Sequence, residues 1–97
     1  MSRRIAIVED EPDIRDNYAD LLRRQGYAVD GYADRAAAAA GMRNGLPDLV
    51  ILDIGLGDEI DGGFELCREL RSRSAQLPII FLTGRDSDID TVVGLRI

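Results

Sequence analysis

Glu9 and Asp10 directly follow Arg4 to Val8 (RIAIV), and Asp53 directly follows Leu49 to Leu52 (LVIL). A third apolar run, Pro78 to Thr83 (PIIFLT), ends on a hydroxyl and is followed by Gly84. Short apolar, β-branched runs of this kind read as buried strands. In an open parallel α/β sheet, ligands bind outside the carboxyl ends of the strands. Glu9, Asp10, Asp53 and Thr83 would then meet at one rim. Carboxylates crowded together repel, and partial burial strengthens the repulsion. Something positive must offset them. The chain has no histidine, so the donors are oxygens, which favour a hard cation. Mg²⁺ fits best, because it keeps several waters and needs few protein ligands. Beside such an ion an Asp53 oxygen can attack phosphorus and form an acyl phosphate. The metal would offset the charge of the transferred group, and the Thr83 hydroxyl could bond one of its oxygens. Glycines after Asp53 would let backbone approach the site.

Taken singly, each residue has a plainer reading. Acids after a strand commonly cap the next helix, and Asp10 or Glu11 could do only that. Asp53 could be a solvated loop charge, and Thr83 a half-buried strand residue. Their joint placement, each at the correct end of its strand, carries the chemical reading. The segment Gly57 to Gly63 (GDEIDGG) superficially suggests a calcium loop, but its spacing is wrong for an EF-hand. Cys67 reads as a small core residue. The pairs Arg3-Arg4 and Arg23-Arg24, and the Arg71/Arg73 group, read as solvated helix ends or flanks.

The elements between the strands must position these groups. Pro12 suits a helix start and the preceding acids suit its positive end. Ile14, Tyr18, Leu21 and Leu22 then share one helical face, and Gly26 stops the helix. Tyr27 to Tyr32 is a weaker strand. Asp34 can cap a helix built on Ala36 to Ala40, which Gly45 and Pro47 end. Gly62 to Arg73 predicts a third helix with Phe64, Cys67 and Leu70 on one face. Ser87 could cap a last helix carrying Ile89, Val92 and Val93. The β-α-β-α-β-α-β-α order, with strands apolar throughout, predicts a parallel sheet covered on both faces.

The bulk numbers set bounds. With 97 residues the chain suits one domain, and 45% hydrophobic with 31% charged residues is an ordinary globular balance. A net charge of −6 is a poor match for nucleic-acid phosphates or an anionic membrane. No apolar run approaches the roughly 20 residues that span a bilayer. The start MSRRIAIVEDEP is not a signal peptide, and a single cysteine fits a reducing cytoplasm.

The segments "IAIVEDEPDIRDNYADLLRRQGYAV", "PDLVILDIGL", "GFELCRELR" and "LPIIFLTGRDSDIDTVVGL" together resemble the receiver domains of bacterial two-component response regulators. The resemblance runs the whole length, with the pieces in order at the expected separations. It implies a flavodoxin-like, doubly wound sheet of order 2-1-3-4-5. It also implies phosphoryl transfer from a sensor histidine kinase to Asp53. By position Glu9 and Asp10 match the acidic pair, with Asp10 the more direct Mg²⁺ ligand and Glu9 acting through water. The Gly55 backbone carbonyl matches the third ligand. Thr83 matches the switch residue and Gly84 the small residue after it. The similarity is greatest to receivers that precede a winged-helix DNA-binding domain, which implies transcription control, with DNA contacted only through an output domain.

The sequence departs from the family pattern in two ways. Gly57 and Asp58 stand where a proline is expected, and the loop after Asp53 is about two residues longer. The family's fifth strand, its phosphate-binding Lys and its fifth helix have no counterpart before Ile97; the chain contains no Lys. We therefore expect residues 1–97 to be a receiver that continues past Ile97 into an output domain. We also expect the apolar edge PIIFL to be left open, and so covered in a homodimer or swapped assembly. Two rivals differ in class. An Mg²⁺-dependent aspartyl-phosphate phosphatase would want a second Asp where Gly55 stands. A non-phosphorylated interaction module is favoured by the missing Lys and opposed by the intact acids.

Overall fold

The structure is a computed structural model and describes residues 3–53, 62–82 and 92–95. Strand β1 (Arg4–Val8) is followed by helix α1 (Pro12–Arg24), β2 (Ala28–Tyr32), α2 (Arg35–Gly41), β3 (Leu49–Asp53), α3 (Gly62–Arg73), β4 (Ile79–Leu82) and β5 (Val92–Leu95). Local chemistry accounts for the boundaries. Pro12 opens α1, whose last turn carries Arg23 and Arg24 against the negative helix end. Gly26, at φ +98°, turns the chain out of that helix. The Asp34 carboxylate caps α2 by accepting from the Ala37 amide at 2.7 Å.

The sheet order is β2-β1-β3-β4-β5. The first four strands are parallel, as the apolar runs predicted. The chain leaves β1 for β2 on one side and returns to place β3 on the other. The direction of winding therefore reverses between β1 and β3, where such sheets bind their ligands.

The two faces of the sheet are unequal. On one, α2 and α3 cover Ala6, Val8, Val50, Leu52, Ile79 and Phe81 with Ala38, Met42, Leu66, Cys67 and Leu70. On the other, Ala19 of α1 packs on Ile5, Ile7, Val29 and Ile51, flanked by half-buried Tyr18 and Leu22. Two details depart from the helical patterning. Leu21 is 56% exposed, and the small Ala19 takes the buried place, because a methyl lets α1 lie close to the sheet. Leu66, fully buried, anchors α3, while Phe64 stays 40% exposed and leans its ring on Phe81 at a centroid distance of 5.2 Å.

One expectation needs correction. Val92 and Val93 belong to a strand and not to a helix, and β5 runs antiparallel to β4, with Ile79 opposite Leu95 and Leu82 opposite Val92. The sheet therefore has a fifth strand, though not the parallel one of the expected order. Val-Val is stiff at χ1 and favours strand over helix, and β4 offers a long apolar edge to pair with. That edge is covered within the chain, so the case for a homodimer or swapped assembly built on an open β4 edge loses its premise. The remainder of the expected last helix, Ser87 and Ile89, lies outside the described residues, as does the loop expected after Asp53.

Candidate functional site

The register of β1 on β3 pairs Val8 with Leu52. One residue further along each strand come Glu9 and Asp53, so two acids distant in sequence become neighbours at the carboxyl rim. Asp10 follows in the turn into α1. Glu9, Asp10 and Asp53 each present a carboxylate oxygen, and these three atoms lie within 4.8 Å of one another. Glu9 and Asp53 are only 2% and 5% exposed, while Asp10 is half-buried.

Backbone contacts hold this corner. The Glu9 amide donates to the Tyr32 carbonyl at 3.0 Å, which ties the rim to β2. The Glu11 amide donates to Glu9 Oε2 at 2.9 Å. Glu11 occupies the N-cap position of α1, yet its side chain caps nothing, so the plain capping reading does not hold for it. The Arg15 guanidinium donates through Nη1 to the Glu9 carbonyl at 2.8 Å.

Crowding shows in the protonation of Glu9. Its carboxyl is pushed up to about 7 from an ordinary 4.5. Burial is the largest cause, aided by the nearby Asp53 and Asp10 carboxyls and opposed by the Glu11 amide. An all-carboxylate donor set that raises its own proton affinity suits a hard divalent cation, which would take the place of the proton. The residues fit Mg²⁺ on that ground.

The structure brings three of the sequence candidates, Glu9, Asp10 and Asp53, together at one rim. Gly55, Thr83 and Gly84 lie outside the described residues. Arg15 was missed, because an arginine in the first turns of an amphipathic helix looks like solvated charge. The arginines read as solvated ends are also engaged. Arg23 donates to the Val29 carbonyl at 2.9 Å, Arg73 to the Met42 carbonyl at 2.8 Å, and Arg71 to the Leu77 carbonyl. Cys67 is the small core residue expected, 4% exposed and with its thiol pushed up by burial.

The model of the response regulator receiver domain matches residues 5–97. This chain belongs to that family. Receiver relatives bear the assignment out. The Escherichia coli transcriptional regulatory protein CreB is 40% identical over 91 residues, covering 94% of this chain and 39% of CreB. Streptomyces coelicolor AfsQ1, also a transcriptional regulatory protein, is 45% identical over 92 residues, covering 95% of this chain and 40% of that protein. The chain thus spans about two-fifths of the length of these relatives. Among solved structures, the non-phosphorylated receiver domain of Leptospira biflexa HemR superposes with a TM-score of 0.79 at 29% identity, over 89% of this chain and 68% of that one. Thermotoga maritima TrrA, solved with Mg²⁺ and BeF, gives a TM-score of 0.75 at 36% identity, over 84% and 69%. The receiver is thus a signalling module of two-component systems. Among the described residues no helix is long and apolar enough to cross a membrane.

Proposed function

We propose that this receiver is a phosphorylation switch in which Asp53 accepts a phosphoryl group from a sensor histidine kinase. The observation that carries the reading is the convergence of the Glu9, Asp10 and Asp53 oxygens within 4.8 Å at the sheet's switch point. An Asp53 oxygen attacks phosphorus as the bond from phosphorus to the kinase's histidine nitrogen breaks, and an aspartyl phosphate results. Its later hydrolysis resets the switch. Asp10, Asp53 and the Gly55 carbonyl would hold Mg²⁺, with Glu9 acting through water. When bound, the ion offsets the charge on the phosphoryl oxygens. The Mg²⁺ and BeF bound by the related TrrA support this pairing. Thr83 would hydrogen-bond the phosphoryl group, with the small Gly84 next to it in sequence; Leu82, the residue before Thr83, is the register partner of Asp53. Phosphorylation adds roughly −1.5 to −2 of charge at an already acidic corner, which biases a two-state surface.

The names of CreB and AfsQ1 support a wider reading. The receiver is the regulatory part of a longer cytoplasmic transcription regulator, which touches DNA only through an output domain.

Incubation with Mg²⁺ and acetyl phosphate tests the first step. Intact mass should show one added phosphoryl group on the native protein and none on Asp53→Asn. No addition to the native protein, or equal addition to the variant, would sink the proposal.

A further inference from the structure

We infer that Arg15 is a positioning residue for the divalent-cation site, acting through the peptide unit that joins Glu9 to Asp10. This rests on reading Glu9, Asp10 and Asp53 as that site. The Glu9 carbonyl that receives the Arg15 Nη1 bond, at 2.8 Å, belongs to the same planar unit as the Asp10 amide. The tilt of that plane sets ψ of Glu9 and φ of Asp10, and so aims both carboxylates at once. A charge-assisted bond from a planar guanidinium is a strong way to hold such a tilt.

Arg15 grips the turn twice. Its own amide donates to the Glu11 carbonyl at 2.9 Å as the first helical bond, while its side chain reaches back over the turn to Glu9. Glu9, Asp10 and Glu11 are thus enclosed between two bonds from one residue, with the Glu9 amide tied to Tyr32 on the far side. The acidic pair is fastened to both α1 and β2.

Gly31 of β2 leaves room for the reach. A Cβ there would lie 3.2 Å from Arg15 Cδ and 3.3 Å from Cγ, closer than ordinary packing allows. The bare Cα of Gly31 is the bed on which the arginine stem lies, a usual reason for a glycine inside a strand. Arg15 acts on the acids through the geometry of the peptide unit it holds.

The test is an Mg²⁺ titration of the protein followed through the Asp10 and Asp53 amide resonances, with thermal midpoints recorded in the absence of metal. Arg15→Met keeps the stem and removes the donor. It should weaken Mg²⁺ binding by about tenfold, the scale for groups that orient metal ligands. Arg15→Lys should recover part of the loss. In the metal-free protein the Glu11 amide, bonded to Glu9, should exchange faster in Arg15→Met. Gly31→Ala, which crowds the stem without touching the acids, should weaken Mg²⁺ binding in the same direction. It decides the matter if Arg15→Met does not fold. Unchanged Mg²⁺ affinity in folded Arg15→Met, or in Gly31→Ala when Arg15→Met is unfolded, overturns the role of Arg15 and leaves the site intact. A native protein whose resonances ignore Mg²⁺ overturns both.

Discussion

At the scale of residues, the acidic corner is unstable when left to itself. The raised Glu9 pKa means that, between about 4.5 and about 7, the folded state holds a proton that the unfolded state has released. Stability follows the difference in bound protons, unfolded minus folded, and that difference is negative in this window. On this group's account the metal-free protein therefore loses stability as pH rises from about 4.5 to about 7. A cation that takes the proton's place reverses the trend. Denaturant melts at several pH values should show the decline without Mg²⁺ and its reduction with saturating Mg²⁺. In Glu9→Gln, which cannot ionise, the metal-free decline should shrink; a decline of native size there would remove Glu9 as its source.

At the scale of elements, α2 illustrates how short helices are held. It has seven residues, too few to persist on propensity alone. Its Asp34 cap therefore matters, and Asp34→Ala should cost about 1 kcal/mol in urea unfolding. Its other end ends at Gly41, where a methyl would overlap the Tyr32 ring. Tyr32 is half-buried against the core of that face, and its carbonyl receives the Glu9 amide. Gly41→Ala should gain a little helix propensity yet lose more to overpacking, a net cost of about 1–2 kcal/mol by urea melts. The displacement should also appear as shifts at the Glu9 amide, because Tyr32 links α2 to the rim.

At the scale of the whole molecule, the two faces of the sheet carry different loads. The face under α2 and α3 holds the larger cluster, and Leu70 on it is 2% exposed. Leu70→Ala should cost about 2–5 kcal/mol, since a fully buried side chain of that cluster is removed. Leu22, on the face covered by α1, is only half-buried. Leu22→Ala should cost nearer 1 kcal/mol, because less apolar area leaves water there on folding. Equal costs, measured by the same unfolding transitions, would show that α1 shields its side as fully as the helix pair shields the other.

The order of elements through β4, the parallel pairing of the first four strands and the meeting of Glu9, Asp10 and Asp53 at one rim were legible in the sequence. Apolar runs such as IAIV and LVIL suit strands buried on both faces, which is the condition of a parallel sheet covered by helices. The Asp34 cap and the Cys67 core position were legible too, since both depend on neighbours close in the chain. Tertiary structure alone decided the rest. The strand at Val92–Leu95 depends on which edge is within reach, which local propensity does not encode. The buried place of Ala19, in preference to Leu21, depends on how closely a helix can lie on a sheet. The grip of Arg15 on Glu9 requires a turn to fold back and a glycine on β2 to clear the way. Side chains that bond backbone groups across a fold leave no periodic trace, so only the assembled sheet shows which arginine faces water and which aims the acids.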